Sequence, residues 1–191
     1  MKAGLDKAKI LDVAAKMTDE KGIANITLKS LAEELGVKSP SLYKHIKGLD
    51  ELHKELMLYS WKLLDKDMMK AAIGKAKDDA IIAMCYAYRN FVKLHGGLFE
   101  TMQWYNMYKS DEHLQATDEL VSILFQVLDG YDLLEEQKVH IVRMLRGFLQ
   151  GFLSIENHDG FGNSLTIDDT FDFALQILLN GIHSLKGGNA K

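Results

Sequence analysis

Proline, cysteine and arginine are scarce in this 191-residue chain, and each scarcity excludes something. The one proline, Pro40, leaves long helices uninterrupted everywhere else. The one cysteine, Cys85, cannot close an internal disulfide; between Met84 and Tyr86 in an apolar stretch it reads as packing or, alternatively, as a thiol sensor. No run of alternating β-branched residues marks a strand. No segment approaches a membrane span, and the charged first residues lack the apolar core of a signal peptide, so a cytoplasmic protein is expected. The histidines His45, His53, His95, His113, His140, His158 and His183 show no metal-ligand spacing. His158-Asp159 lies in a glycine-rich loop without the pattern of a phosphate cradle, and Cys85 has no positioned partner. No enzyme, metal or cofactor is expected.

What is present is apolar residues at helical spacing. They make up 47% of the chain, enough for a substantial core, and the expected class is all-α. The formal net charge of −4 argues by itself against a nucleic-acid binder, but its distribution is uneven. Residues 1–47 hold nine lysines against six acids, so a head of about +3 precedes a remainder of about −7. Such a head suits an oriented approach to phosphates. It contains no arginine, because the chain's three are Arg89, Arg143 and Arg146. Arginine bidentate to guanine, the commonest specific base contact, is therefore excluded.

The richest stretch runs from Thr27 to Lys47 and reads as two short helices joined by a tight turn. Thr27 is placed to cap the first helix. Leu28, Leu31, Ala32 and Leu35 recur at three- and four-residue steps and give an apolar face, with Lys29, Glu33 and Glu34 toward water. Gly36 stands where the helix must stop. Ser39-Pro40 restarts the chain in a helix expected to run from Lys38 to Ile46, with Leu42 and Ile46 on its buried side. No acid lies between Lys38 and Lys47, whereas exposed faces usually mix both signs. An ordinary helical hairpin is the bland alternative; a helix entering a DNA groove fits the pattern better. Lys38, Ser41, Tyr43 and His45 are expected at or near base edges, and Thr27, Lys29, Lys44 and Lys47 at phosphates. The DNA-facing set also takes in Ser39 and Leu42. Leu5 to Lys21 should form a first helix that braces this pair and ends at Gly22.

Residues 8–55 resemble the N-terminal DNA-binding domain of the TetR family of bacterial transcriptional regulators. Gly22, Thr27, Leu31, Ala32, Gly36, Val37, Leu42, Tyr43 and His45 stand at the positions of that family's pattern. Ile46 replaces a phenylalanine, and Leu49 stands where the family often has a phosphate-gripping lysine. That role is expected to pass to Lys47 or Lys44.

From Asp50 a long helix is expected to about Ala72, followed by helices near 77–95, 98–107, 110–129, 135–157 and 168–186. The expected organisation is therefore a three-helix helix-turn-helix domain over 1–49 and a larger helical domain over 50–186, about nine helices in all. Gly147 and Gly151, four apart, leave a flat strip, and Gly181 does the same on the last helix. Glycines inside helices cost stability, so close approach of another helix explains them best. With Phe152, Leu175, Leu178 and Ile182 they read as an interface between two copies, or alternatively as faces buried within one chain. Leu98 to Tyr108 is dense in aromatic residues and methionine. Met84, Tyr88, Phe99, Met102, Trp104, Tyr105, Phe125, Met144 and Phe148 are candidates to line a site for a flat or hydrophobic molecule, and ordinary core is the alternative. Arg89 either anchors an anionic ligand or makes a salt bridge.

Residues 80–185 are similar to one C-terminal subtype of the TetR family through Arg146 to Phe152 and Asp159-Gly160-Phe161-Gly162, with Gln150 in place of the subtype's histidine. Taken together, the resemblances imply a homodimeric repressor. It would bind a near-palindromic double-stranded operator and leave it when a small-molecule effector binds. A helical adaptor or small-molecule-binding protein without specific DNA binding is the alternative.

Overall fold

The computed structural model describes residues 5–106, 108 and 111–185; the side chains of residues 105, 106, 112–117, 119 and 120 lie outside that description. Nine α-helices and no strands are found among the described residues: α1 (Lys7–Lys21), α2 (Leu28–Glu34), α3 (Ser39–Leu42), α4 (Leu49–Ala72), α5 (Lys77–Leu94), α6 (Gly96–Met102), α7 (Asp111–Leu128), α8 (Glu135–Asn157) and α9 (Ile167–Ser184). None is long and apolar enough to cross a membrane. Contacts divide the chain into two compact units, one of residues 1–64 with 94–117, the other of residues 65–93 with 118–191.

The first unit begins with Asp6, whose carboxylate accepts from the Lys9 amide at 2.8 Å and caps α1. Ile10, Ala14, Ala15 and Met17 line the buried side of α1. Thr27 caps α2 as its sequence position implied, and Ser30 completes the exchange. Each backbone amide donates to the other residue's hydroxyl at 3.0 Å. At the turn, Val37 N–H donates to Ala32 and Gly36 N–H to Glu33, while Gly36 adopts φ +66°. That paired closure satisfies the last carbonyls of α2 and requires a left-handed residue.

The second helix of the pair is shorter than expected. α3 ends at Leu42, because Tyr43 at ψ −14° tightens the chain beyond α-helical geometry. A turn carried by His45 and Ile46 amides on the Leu42 carbonyl still delivers Leu42 and Ile46 fully buried. The next helix starts at Leu49, one residue before Asp50, with Glu51 accepting from the Lys47 amide at 2.6 Å.

α6 packs against α1 in the same unit. A Cβ on Gly97 would lie 2.2 Å from the Thr18 carbonyl oxygen, so only glycine permits this approach. Asp19 caps α6 from α1, accepting from Leu98 N–H at 2.9 Å and pairing with His95 Nδ1 at 2.6 Å. Ser60 on α4 meets Thr101 on α6 at 3.1 Å in the interior.

The second unit buries Met68, Ala80, Ile81, Met84, Phe91, Leu145, Leu149, Leu153, Phe171 and Leu175. Phe148, Phe152, Phe161 and Phe171 form a connected aromatic cluster, with ring centroids 4.7–5.8 Å apart. The buried Arg89 lies over Phe171 and bonds Glu156 in two places, at 2.9 and 2.6 Å. It also reaches Asp168 at 2.6 Å, which ties α5 to α8 and α9.

Candidate nucleic-acid interface and effector site

The capped α2 and the closed turn hold a short polar surface on the first unit. Thr27, Lys29, Lys38, Tyr43, Lys44 and Lys47 are exposed, and Ser39, Ser41 and His45 are half-buried. Tyr43 keeps 55% of its surface accessible, far more than a core tyrosine. Leu42 corrects the expected contact set. It is fully buried at the α3 core position and cannot meet a base. Its periodicity with Ile46 had already placed it on the inner side. Lys38 takes the extended N-cap conformation ahead of α3, and Ser39 and Pro40 open the helix. Leu49 is 37% exposed and carries no charge for a phosphate.

Along α4 the first unit carries an aromatic group that sequence spacing did not reveal. The His53 ring lies 5.1 Å from Trp104, which in turn lies 6.4 Å from Tyr108, and the Tyr108 hydroxyl donates to Asp50 at 3.0 Å. Burial holds His53 below its ordinary value against the opposing pull of Asp50, so its imidazole is neutral at pH 7.

The ten expected lining residues do not form one described cluster. Phe99 and Met102 are buried in the first unit, where Trp104 is half-buried; the Tyr105 side chain lies outside the described residues. Met84 and Tyr88 are buried in the second unit, and Phe125 and Phe148 are half-buried there. Two members need correction. Met144 is 41% exposed, because its position on α8 faces outward. Arg89 is an ion-pair residue instead of a free anchor, since Glu156 and Asp168 already occupy its guanidinium and raise its pKa. Burial pushes the Cys85 thiol up to about 12, which leaves no thiolate at neutral pH and supports packing over sensing.

The expected interface residues also separate. Gly147, Gly151 and Gly181 are exposed, and a Cβ built on any of them would meet nothing within 4 Å. An open apolar groove of about 520 Å³ runs between α8 and α9, lined by Met144, Ile177, Leu178, Gly181, Ile182 and Leu185 among others. Phe152, Leu175 and Ile182 are the corrections here. All three are buried in their own unit's core, Phe152 against Phe161 and Phe171, and Ile182 lies at the floor of the groove. The exposed Ile177 had escaped notice because hydrophobicity alone does not say which side of an apolar helix is covered.

Comparison with known proteins matches the chain in two segments. Residues 10–56 match the family described as bacterial regulatory proteins, tetR family, and residues 81–178 match the tetracyclin repressor-like C-terminal domain. The chain is 28% identical over 181 residues to the uncharacterized HTH-type transcriptional regulator YobS of Bacillus subtilis, covering 94% of this chain and 93% of YobS. Two solved structures share the fold. A protein of unknown function from Rhodococcus sp. RHA1 has a TM-score of 0.82 at 16% identity, covering 95% of this chain and 97% of its own. TetR from Acinetobacter baumannii AYE has a TM-score of 0.74 at 15% identity, covering 96% of this chain and 99% of its own. With an exposed helix-turn-helix surface on its first unit and a C-terminal domain that matches over most of its length, this chain belongs to the TetR family of bacterial transcriptional regulators.

Proposed function

We propose that the chain acts in the cytoplasm as a homodimeric repressor, by binding and not by catalysis. Residues 1–49 serve as the DNA-binding domain and 50–186 as the effector-binding and dimerisation domain. The observation that carries the DNA-binding role is the 27–47 surface. α2 is capped at Thr27, Leu31, Ala32, Leu42 and Ile46 are buried, and Lys38, Tyr43, Lys44 and Lys47 remain exposed with no acid among them. Lys38, Ser41, Tyr43 and His45 face base edges in a major groove, while Thr27, Lys29, Lys44 and Lys47 hold phosphates.

Dimerisation is supported by the open glycine strip of α8 and the apolar groove beside α9. A helix of a second copy would bury Met144 and Ile177 and approach closely over Gly147, Gly151 and Gly181. Two heads one helical turn apart would then require a near-palindromic operator. A small hydrophobic or aromatic effector releases the complex if it binds the released arrangement more tightly than the DNA-bound one.

Fluorescence anisotropy with the DNA upstream of the chain's own gene tests this function. Saturable, salt-sensitive binding that random DNA does not match is the expected result. Equal binding to both DNAs would remove the regulator reading.

A further inference from the structure

In the second unit α8 and α9 run antiparallel. Phe148 and Phe152 both pack on Phe171, and further along Ile141 and Met144 line one groove with Leu178 and Ile182. The face that these helices turn outward is apolar. Met144 on α8 is 41% exposed, and Phe173 and Ile177 on α9 are 65% and 55% exposed. A covering surface would take that apolar area out of water. The outer edges of the face carry opposite charge. Arg143 is exposed on α8; at about 100° per residue it lies across Gly147 from Met144, on the edge away from α9. Asp169 is exposed on α9 and lines a depression with Ile82 of α5 and Phe173, which puts it on the edge away from α8. Neither Arg143 nor the Asp169 carboxylate is held in an ion pair among the described residues.

A second copy of the chain is the occupant that these charges fit. A two-fold axis presents α9 of one copy to α8 of the other and the reverse, so a basic edge meets an acidic one twice. The missing Cβ atoms of Gly147 and Gly151 leave open space there, and closest approach over them sets the axis level with their midpoint, Leu149. On α9 that level falls near Asp172, because Phe171 touches both Phe148 and Phe152. Arg143 stands six residues to one side of the level and Asp169 three to the other. Within one chain they are therefore about 13 Å apart along the helices, too far for an ion pair. The two-fold carries the partner's Asp169 to the same side, about 5 Å from Arg143 along the helices, a span that an arginine side chain covers.

Resting on the dimerisation proposed above, we propose that Arg143 on α8 pairs with Asp169 on α9 of a second copy, twice per dimer, and that these pairs set the register in which the two faces close. The apolar contact of Met144, Phe173 and Ile177 supplies the adhesion. The charge pairs act mainly on which arrangement forms, because a slip along the helices separates them and a misplaced partner sets like charges together.

Sedimentation across a dilution series tests the pairing on the full chain, with wild type, Arg143→Glu, Asp169→Arg and an equimolar mixture of the two variants. Each variant alone sets like charges together at both contacts and should dimerise about ten- to thirtyfold more weakly than wild type. The mixture should recover to within about threefold of wild type, because a heterodimer of the two variants restores opposite charges at both contacts. Such recovery cannot arise within one chain. Alanine variants give a second reading that needs no charge reversal. Arg143→Ala and Asp169→Ala combined should weaken the dimer no more than either alone, and additive losses would count against the pair. A mixture that does not recover, or variants that each dimerise as tightly as wild type, would overturn the pairing and leave the dimer to another register. A wild type that is monomeric at every concentration would overturn both the pairing and the dimerisation it rests on.

Discussion

The Asp19 carboxylate accepts a hydrogen bond from the Leu98 amide at 2.9 Å, so a side chain on α1 caps a helix that begins seventy-seven residues later. The same carboxylate pairs with His95, and beside it Gly97 lies against the α1 backbone. Whatever moves α6 therefore acts on α1, the helix packed against α2 of the helix-turn-helix.

Removing the Asp19 side chain should loosen this joint. Asp19→Ala should destabilise the protein by about 1–3 kcal/mol, through loss of a cap and of a partly buried charged hydrogen bond. Denaturant unfolding measures the cost, and an unchanged midpoint would show that α6 does not depend on the cap. Asp19→Asn keeps an acceptor for Leu98 and should cost less.

The glycines offer a contrast between two environments. In Gly97→Ala the new methyl meets the Thr18 backbone carbonyl, which cannot rotate away, so the expected cost is about 3 kcal/mol or more. In Gly147→Ala the methyl meets open space, and the helix gains up to about 1 kcal/mol of intrinsic stability. If a second copy packs over this strip, the same change should weaken the dimer, as sedimentation across a dilution series would report. A dimer that is as tight in Gly147→Ala as in the wild type would place the interface elsewhere.

On the head, burial separates contact residues from supporting ones. Lys44→Ala or Lys47→Ala should lower the salt dependence of operator binding by about one unit of slope and leave unfolding nearly unchanged. Tyr43→Ala should reduce preference for the operator over random DNA. Leu42→Ala should instead cost about 2–5 kcal/mol of stability, because it empties a fully buried position. Equal stability of Leu42→Ala and wild type would contradict its core placement.

Stability should fall at alkaline pH. Burial raises Cys85 from 9.0 and Tyr88 from 10.0, both to about 12, so the folded state holds these protons more tightly than the unfolded one. The stabilisation is fully present below pH 9 and is lost as pH rises from 9 through 12. Replacing Cys85 by alanine should flatten the lower part of that decline. Unfolding midpoints that coincide for both proteins between pH 9 and pH 11 would show that the thiol does not contribute. His53 works in the opposite direction, since burial lowers its pKa and its contribution is lost as pH falls below 6.5.

Local patterning determined much of this molecule before any tertiary contact is considered. Period-3.6 spacing located every helix to within two residues at most ends, because burying a stripe of apolar side chains leaves little freedom in where a helix lies. The caps at Thr27 and the stop at Gly36 were equally local, since their partners lie within five residues. The exposure of the polar residues between Thr27 and Lys47 was legible for the same reason, apart from the burial of Leu42 and the early end of α3. There the short helix terminates on backbone geometry at Tyr43 that periodicity does not report.

The tertiary structure alone decided which partner each side chain meets across long separations. Arg89 could have been an anion anchor or a salt bridge until Glu156 and Asp168, 67 and 79 residues away, closed on it. Gly97 and Gly147 are the same residue in sequence, yet one touches a neighbouring backbone and the other touches nothing. Phe152 and Met144 belong to one apolar pattern, yet one is core and the other is open. Apolar spacing states that a face will be covered; only packing states by what, because burial depends on contacts between segments that the sequence keeps far apart.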